Sequence, residues 1–204
     1  YAQFSEENIF DYIFENIGTT NKFLVDFGAG GLGCEMSNSR YLLEKGWSGL
    51  RMDGNPAGDT SIMKEFITAE NIQEIFTKYI VPIEFDLLSI DMDGNDIWVL
   101  GRILLTYSPR IIVAEFNPAI PFGVNRAIKY NPDHVFKNND YYGASMEAFK
   151  RLASYYGYTI ITNNGLNLFM IRNNIDYKYP MNYDFYTERH DHATANYGEW
   201  VEYK

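Results

Sequence analysis

The chain has 204 residues, 46% hydrophobic and 22% charged, enough for one domain with a buried core and unlike the composition of a disordered segment. Its 27 acidic and 17 basic residues leave a net charge of -10, which argues against nucleic acid as a partner, because backbone phosphates call for a basic face. A single cysteine, Cys34, excludes an internal disulfide and a multi-cysteine zinc site, and no apolar run reaches the roughly 18 to 20 residues of a membrane span.

Apolar residues at helical spacing predict a first helix over 4–17, stopped by Gly18. Phe23-Leu-Val-Asp-Phe27 reads as a buried strand running into the glycine-rich turn Gly28-Ala-Gly-Gly-Leu-Gly33. A helix over 39–45 and a strand over 49–53 follow. Thr68 is expected to cap a helix over 70–79. Residues 85–92 form a third apolar run, ending in Asp91-Met-Asp93-Gly94. A helix over 96–106 and a strand over 110–115 complete the alternation, which implies βαβ units and a mainly parallel sheet.

The pattern then breaks. Residues 117–142 hold three prolines and no sustained periodicity, and a loop of that length in a compact domain suggests a lid over a ligand. A helix over 144–156 resumes the order, and strands over 158–162 and 166–171 flank Asn163-Asn-Gly165, a hairpin turn. From residue 173 onward the chain reads as a polar, Tyr-rich surface tail. The expected fold is α/β and Rossmann-like: a seven-stranded mixed sheet, helices on both faces, and a C-terminal antiparallel hairpin. Residues 1–204 are taken as one domain, and Tyr1 in place of Met suggests a piece of a longer chain.

Gly28, Gly30 and Gly33 fit G-x-G-x-x-G after a strand, where backbone can approach a cofactor closely. Asp53 lies about 20 residues further on, where a ribose-binding acid belongs. The turn suits NAD, FAD and S-adenosylmethionine alike. Asp26 before the first glycine and the terminal hairpin favour S-adenosylmethionine. A nicotinamide-dependent oxidoreductase and a non-catalytic S-adenosylmethionine-binding domain remain as alternatives.

Asp91 and Asp93 fall at the carboxyl end of one strand, Glu115 and Asn117 at that of its neighbour, where ligands of open parallel sheets bind. These four oxygen-bearing side chains are candidate ligands for Mg²⁺, Mn²⁺ or Ca²⁺. A metal would lower the pKa of an acceptor hydroxyl; the metal-free candidate base is His134. A cationic donor also suits acids such as Asp26, Asp53 and Asp91.

Several segments in order resemble the FkbM-like S-adenosylmethionine-dependent methyltransferases. They are Phe23-Leu-Val-Asp-Phe-Gly-Ala-Gly, Ser37-Asn38-Ser39-Arg40, Lys45-Gly-Trp-Ser-Gly-Leu, Asp86-Leu-Leu-Ser-Ile-Asp-Met-Asp-Gly-Asn-Asp96, Pro109-Arg-Ile-Ile-Val-Ala-Glu-Phe-Asn117 and Tyr142-Gly-Ala-Ser145. The resemblance runs from about Asn21 to about Arg172, and departs at Asp53-Gly54, where that family usually shows Glu-Pro. It implies O-methylation of a sugar hydroxyl on a glycan or glycosylated metabolite. It also assigns Asp26, Gly28 and Gly30 to the methionine end of the cofactor, and Asp53 to the ribose hydroxyls. Ser37 and Asn38 would line the same site, and Glu70 would reach the adenine or ribose edge. The chain is similar, further, to methyltransferase domains of multidomain glycan-synthesising proteins of chlorovirus type. That similarity implies covalently linked glycosyltransferase domains and a viral protein acting in the cytoplasm.

Overall fold

A computed structural model describes residues 6–30, 37, 39–177 and 198–204. In chain order the first elements are α1 (Glu6–Ile17), β1 (Phe23–Phe27), α2 (Arg40–Glu44), β2 (Ser48–Asp53), β3 (Met63–Lys64), α3 (Ile72–Lys78) and β4 (Leu87–Ile90). Then come α4 (Asp96–Ile103), β5 (Ile111–Glu115), β6 (Ala127–Ile128), α5 (Met146–Tyr156), β7 (Tyr158–Asn163), β8 (Asn167–Arg172) and β9 (Trp200–Val201).

Seven strands form one sheet in the order β3-β2-β1-β4-β5-β8-β7. The five on the β3 side pair in parallel, and β8 runs antiparallel between β5 and β7. This order, with its reversed strand beside β5, is that of the Rossmann-like class I methyltransferase fold. A two-stranded sheet, β6 with β9, lies apart from it.

Side chains alternate across each strand and so divide the core in two. Val25, Phe27, Leu88, Ile90, Ile112 and Ala114 pack into one cluster, shared with the buried faces of α3, α4 and α5. Leu24, Leu87, Ile111, Val113 and Phe169 pack into a second with Ile9, Phe10 and Ile13 of α1. Helices therefore cover both faces. At the amino ends of β4 and β5, Asp86 is fully buried, 2.8 Å from Arg110 Nη1. Its carboxylate also accepts the N–H groups of Thr20, Asn21 and Lys22. Burial acts to raise its pKa, but Arg110 and these backbone donors outweigh it and hold the value below normal. This pair fixes the end of the sheet remote from the ligand edge.

Two local differences from the sequence reading have simple causes. The edge strand β3 is only two residues long, too short for a period to show in a stretch rich in Gly, Pro and Asp. Helix α3 starts at Ile72 rather than at residue 70, because Thr68 and Asn71 bond each other first. Thr68 Oγ1 accepts from Asn71 N at 3.3 Å, and Asn71 Oδ1 accepts from Thr68 N at 2.8 Å. Helix α5 is capped at both ends: Ser145 Oγ accepts from Ala148 N, and Gly157 takes the left-handed conformation after the last turn.

Among the described residues, no helix is long and apolar enough to cross a membrane. Segment 117–142 is irregular, apart from β6, and is anchored within. Asn117 is buried and its Nδ2 donates to the carbonyls of Asp140 and Tyr142, both at 2.9 Å, closing the loop on itself. From the tail, Trp200 and Val201 pair with Ile128 and Ala127.

Candidate functional site

Strands β1 and β4 are neighbours in the sheet, although β2 and β3 lie between them in sequence. The chain thus reverses its winding at this point, and a crevice opens past the carboxyl ends of the two strands. A cavity of about 220 Å³ occupies it, with Gly28, Asp53, Phe66, Asp91, Asp93 and His134 on its wall.

Gly28 has φ +67°, and a Cβ there would lie 2.0 Å from the Asp91 carbonyl oxygen. The close approach that demands this glycine is therefore between the ends of β1 and β4. Asp53, last residue of β2, has both oxygens oriented by backbone. Oδ2 accepts from Gly30 N at 3.0 Å and Oδ1 from Asn55 N at 2.7 Å. Each oxygen keeps a lone pair for a ligand hydroxyl.

The other expected cofactor residues are distributed less simply. Asp26 is buried near the end of β1, and among the described residues it is not part of the cavity wall. Its Oδ2 accepts from Ser39 Oγ at 2.5 Å and Ser37 Oγ at 3.0 Å. Burial raises its pKa, against the lowering effect of the hydroxyls of Ser39, Ser37 and Ser89. Ser37 and Ser39 thus face Asp26, and the N-cap residue Ser39 makes no side-chain bond to α2. Asn38 and Gly33 lie outside the described residues. Glu70 is off the cavity wall and accepts the Tyr130 hydroxyl instead. Two wall residues, Glu65 and Phe66, escape the sequence reading because they follow the short β3. Glu65 accepts from Lys78 Nζ and Tyr79 Oη, whereas Phe66 is 58% exposed.

The acids at the ends of β4 and β5 do converge. Asp91, Asp93 and Glu115 place carboxylate oxygens within 4.8 Å of one another. Burial, then the charges of Asp96, Asp93 and Asp26, push Asp91 up to about 8. Burial, then the charges of Asp91, Asp96 and Asp93, push Glu115 up to about 10. The Glu115 and Asp91 carboxyls are hydrogen-bonded to each other. Burial also raises Asp93, against the opposite charge of His134. Such crowding of carboxyls in low dielectric favours a cation, whether a metal ion or a cationic ligand. Asp96 has a structural role: it accepts from Met92 N at 2.7 Å and Gly94 N at 2.9 Å, closing the strand-to-helix turn. Asn117 is engaged elsewhere, since its Oδ1 accepts from Ala119 N at 2.9 Å while Nδ2 holds the loop.

His134 is carried into the cavity by a turn anchored on α4. Asn95 Nδ2 donates to the Asn131 carbonyl at 2.7 Å, and that carbonyl also accepts from His134 N at 2.9 Å. The imidazole donates to the backbone carbonyl of Asp93, and Nε2 is buried with no hydrogen-bond partner. Nδ1 is therefore the protonated nitrogen, and Nε2 offers a lone pair. Burial lowers the pKa of this histidine, against the raising effect of the Asp93 carbonyl, so the neutral form prevails near pH 7. A neutral imidazole with its second nitrogen anchored is the form a general base requires.

No protein-family model and no curated protein matches this chain. Among solved structures, the small RNA methyltransferase HEN1 is 13% identical, with a TM-score of 0.43 over 85% of this chain. The chain spans about 26% of the length of that protein.

Proposed function

We propose that the chain is an S-adenosylmethionine-dependent O-methyltransferase acting on a sugar hydroxyl of a glycan or glycosylated metabolite, in the cytoplasm. One observation carries this reading. An acid fixed by backbone at the end of β2, Asp53, shares a cavity at the β1/β4 switch point with Asp91 and the imidazole of His134, whose Nε2 is buried without a hydrogen-bond partner. The likeness of the sequence to FkbM-like enzymes supports the sugar acceptor. Linked glycosyltransferase domains in a longer viral protein belong to the same reading.

S-adenosylmethionine, when bound, supplies an electrophilic methyl group on a sulfonium cation. Asp53 would take its ribose hydroxyls, and Gly28, Gly30 and Asp91 its cationic methionine end. The excess of buried carboxyls without a counter-charge fits such a cation. Asp26 shapes this end of the site through Ser37 and Ser39. His134 Nε2 would accept the proton of the acceptor hydroxyl as that oxygen attacks. Segment 117–142, which carries His134, would cover the acceptor and exclude water.

The spacing of Asp91, Asp93 and Glu115 favours a second route to the same reaction. Three carboxylates within reach of one another are a donor set for Mg²⁺, Mn²⁺ or Ca²⁺, which would lower the hydroxyl's pKa. Calorimetry with S-adenosylhomocysteine and with NAD tests the reading at its base. Binding of the first alone is expected; binding of NAD alone would make the chain a nicotinamide enzyme. Labelled-donor transfer to glycans then separates catalysis from mere binding.

A further inference from the structure

A second cavity, of about 460 Å³, lies beside β9 and is lined by Asn125, Arg126, Arg151, Trp200 and Glu202 among others. Two guanidinium groups on one wall stand out in a chain of net charge -10. Arg126 is half-buried and has no ion pair among the described residues; its guanidinium lies over the Trp200 ring, 5.8 Å from the centroid. Arg151 approaches Glu147 at 3.6 Å from an exposed position. Among the described residues, the one acid on the wall, Glu202, is exposed.

Two residues of this wall each bury a polar atom without a hydrogen-bond partner, Trp200 its Nε1 and Asn125 its Oδ1. Asn125 Nδ2 donates to the Tyr203 carbonyl at 2.9 Å, which fixes the amide and leaves Oδ1 as the open acceptor. More than about nine in ten buried polar groups in folded proteins are satisfied, so this pair calls for an explanation. An indole N–H and two guanidinium groups ask for an anionic oxygen. A carboxamide oxygen asks for a hydroxyl. A sugar that bears a phosphate or carboxylate offers both.

The place of this cavity gives it a role. The Tyr141 ring stands 6.1 Å from that of His134 and 5.0 Å from that of Trp200. Tyr141 is held there by its hydroxyl, which donates to the Glu199 carbonyl at 2.7 Å. Gly198 leaves it room: a Cβ at that position would lie 2.3 Å from Tyr141 Cζ. A single aromatic ring, Tyr141, thus lies between the His134 imidazole and Trp200 of the basic cavity.

We propose that this cavity is the subsite for an oxyanion, a phosphate or carboxylate, carried by a sugar unit of the acceptor next to the unit that is methylated. Its role in the acceptor rests on the methyl-transfer reading above; its affinity for anionic sugars does not. Arg126 and Arg151 take the anionic oxygens, and Trp200 lends its N–H. Asn125 reads a hydroxyl of the ring. The acceptor then spans Tyr141, with its anionic end held while the other end reaches His134.

Calorimetry on the whole chain tests this with glucose 1-phosphate, glucuronate, inorganic phosphate, neutral methyl glucoside and a short single-stranded RNA as probes. Glucose 1-phosphate or glucuronate is expected to bind more tightly than methyl glucoside, and the tighter of the two identifies the anion. Arg126→Gln should weaken that binding roughly tenfold or more, Arg126→Lys less, with S-adenosylhomocysteine affinity unchanged. Equal affinity for methyl glucoside, or undiminished binding in Arg126→Gln, would overturn the subsite and leave the methyl-transfer reading standing. Inorganic phosphate bound as tightly as the sugar phosphate would remove the sugar from the proposal. RNA bound more tightly than any sugar, and lost in Arg126→Gln, would reassign the cavity to a nucleic-acid backbone. Absent S-adenosylhomocysteine binding beside Arg126-dependent sugar binding would sink the methyl-transfer reading alone. Should Arg126→Gln alter the circular dichroism, exposed Arg151→Gln takes its place, and unchanged affinity there counts against the subsite.

Discussion

His134 rests on Gly94 so closely that a Cβ at Gly94 would lie 2.4 Å from His134 Cδ2. The imidazole on the cavity wall is thus positioned by the turn that carries Asp93. Gly94→Ala should push the ring aside without unfolding the chain, since the imidazole end of a side chain can move. Misplacement of a reacting group by about 1 Å costs on the order of 100-fold in rate. A loss of that order in kcat, with S-adenosylhomocysteine affinity intact, is the expected result. Full activity in a folded Gly94→Ala enzyme would remove His134 from the chemistry.

Asp53 is bound by backbone on both oxygens and still has lone pairs facing the cavity. Asp53→Ala should weaken S-adenosylhomocysteine binding by about 1 to 3 kcal/mol, the cost of leaving polar partners unmatched. Calorimetry alongside a melting curve checks it. Unchanged affinity in a folded variant would place the ribose elsewhere.

Chelation separates the two routes for activating the hydroxyl. If Asp91, Asp93 and Glu115 hold a divalent ion, chelator abolishes turnover, added Mg²⁺ or Mn²⁺ restores it, and donor binding is nearly unchanged. If His134 takes the proton unaided, activity survives chelation, falls in His134→Ala and rises with pH through the histidine's pKa. Engagement of Asn117 with its own loop, and a free Nε2, favour the histidine.

The raised carboxyls make stability depend on pH. Asp91 at about 8 and Glu115 at about 10 hold protons more tightly folded than unfolded, where carboxyls lie near about 4. Their contribution to stability is full below about pH 4 and is lost as pH rises through the folded values. Asp86, held low by Arg110, works in the opposite sense and loses its contribution in acid. The ligand-free chain should therefore melt at a lower temperature near about pH 8.5 than near about pH 6, and Asp91→Asn should flatten that slope. A melting temperature that climbs across this interval would contradict the buried acid cluster.

Segment 117–142 should respond to ligand in one part only. Ile128 and Lys129 already donate to the carbonyls of Gly143 and Glu199, and Ala127 and Ile128 are buried. Residues 133–139 are largely exposed and carry His134. Hydrogen exchange should show new protection over 133–139 when donor and acceptor bind together, with little change at 127–129. Equal exchange in the free and ternary states would end the lid reading.

The sequence by itself determined every element of the main sheet except the two-residue β3, and their alternation with helices. Phe23–Phe27, Leu87–Ile90 and Ile111–Glu115 are mostly apolar, each with a single polar residue (Asp26, Ser89 and Glu115), and a strand covered on both faces calls for such a run. Asn163-Asn-Gly165 marked the hairpin because the left-handed conformation of its turn, φ +92° at Gly165, favours glycine. Positions at strand ends were legible too, so Asp53, Asp91, Asp93 and Glu115 fell where expected. What each acid does there was decided only by tertiary structure. Asp26 is turned onto two serines, and Asn117 is turned into its own loop; sequence order records neither direction. His134 reaches the cavity through Asn95 and Gly94, nearly 40 positions upstream, and no local pattern encodes that contact. The basic cavity joins Arg126 to Trp200 through a two-residue strand pair, which has no period to read. Hydrophobic periodicity reports which face of an element is buried; the direction of a polar side chain is set by partners from elsewhere in the chain.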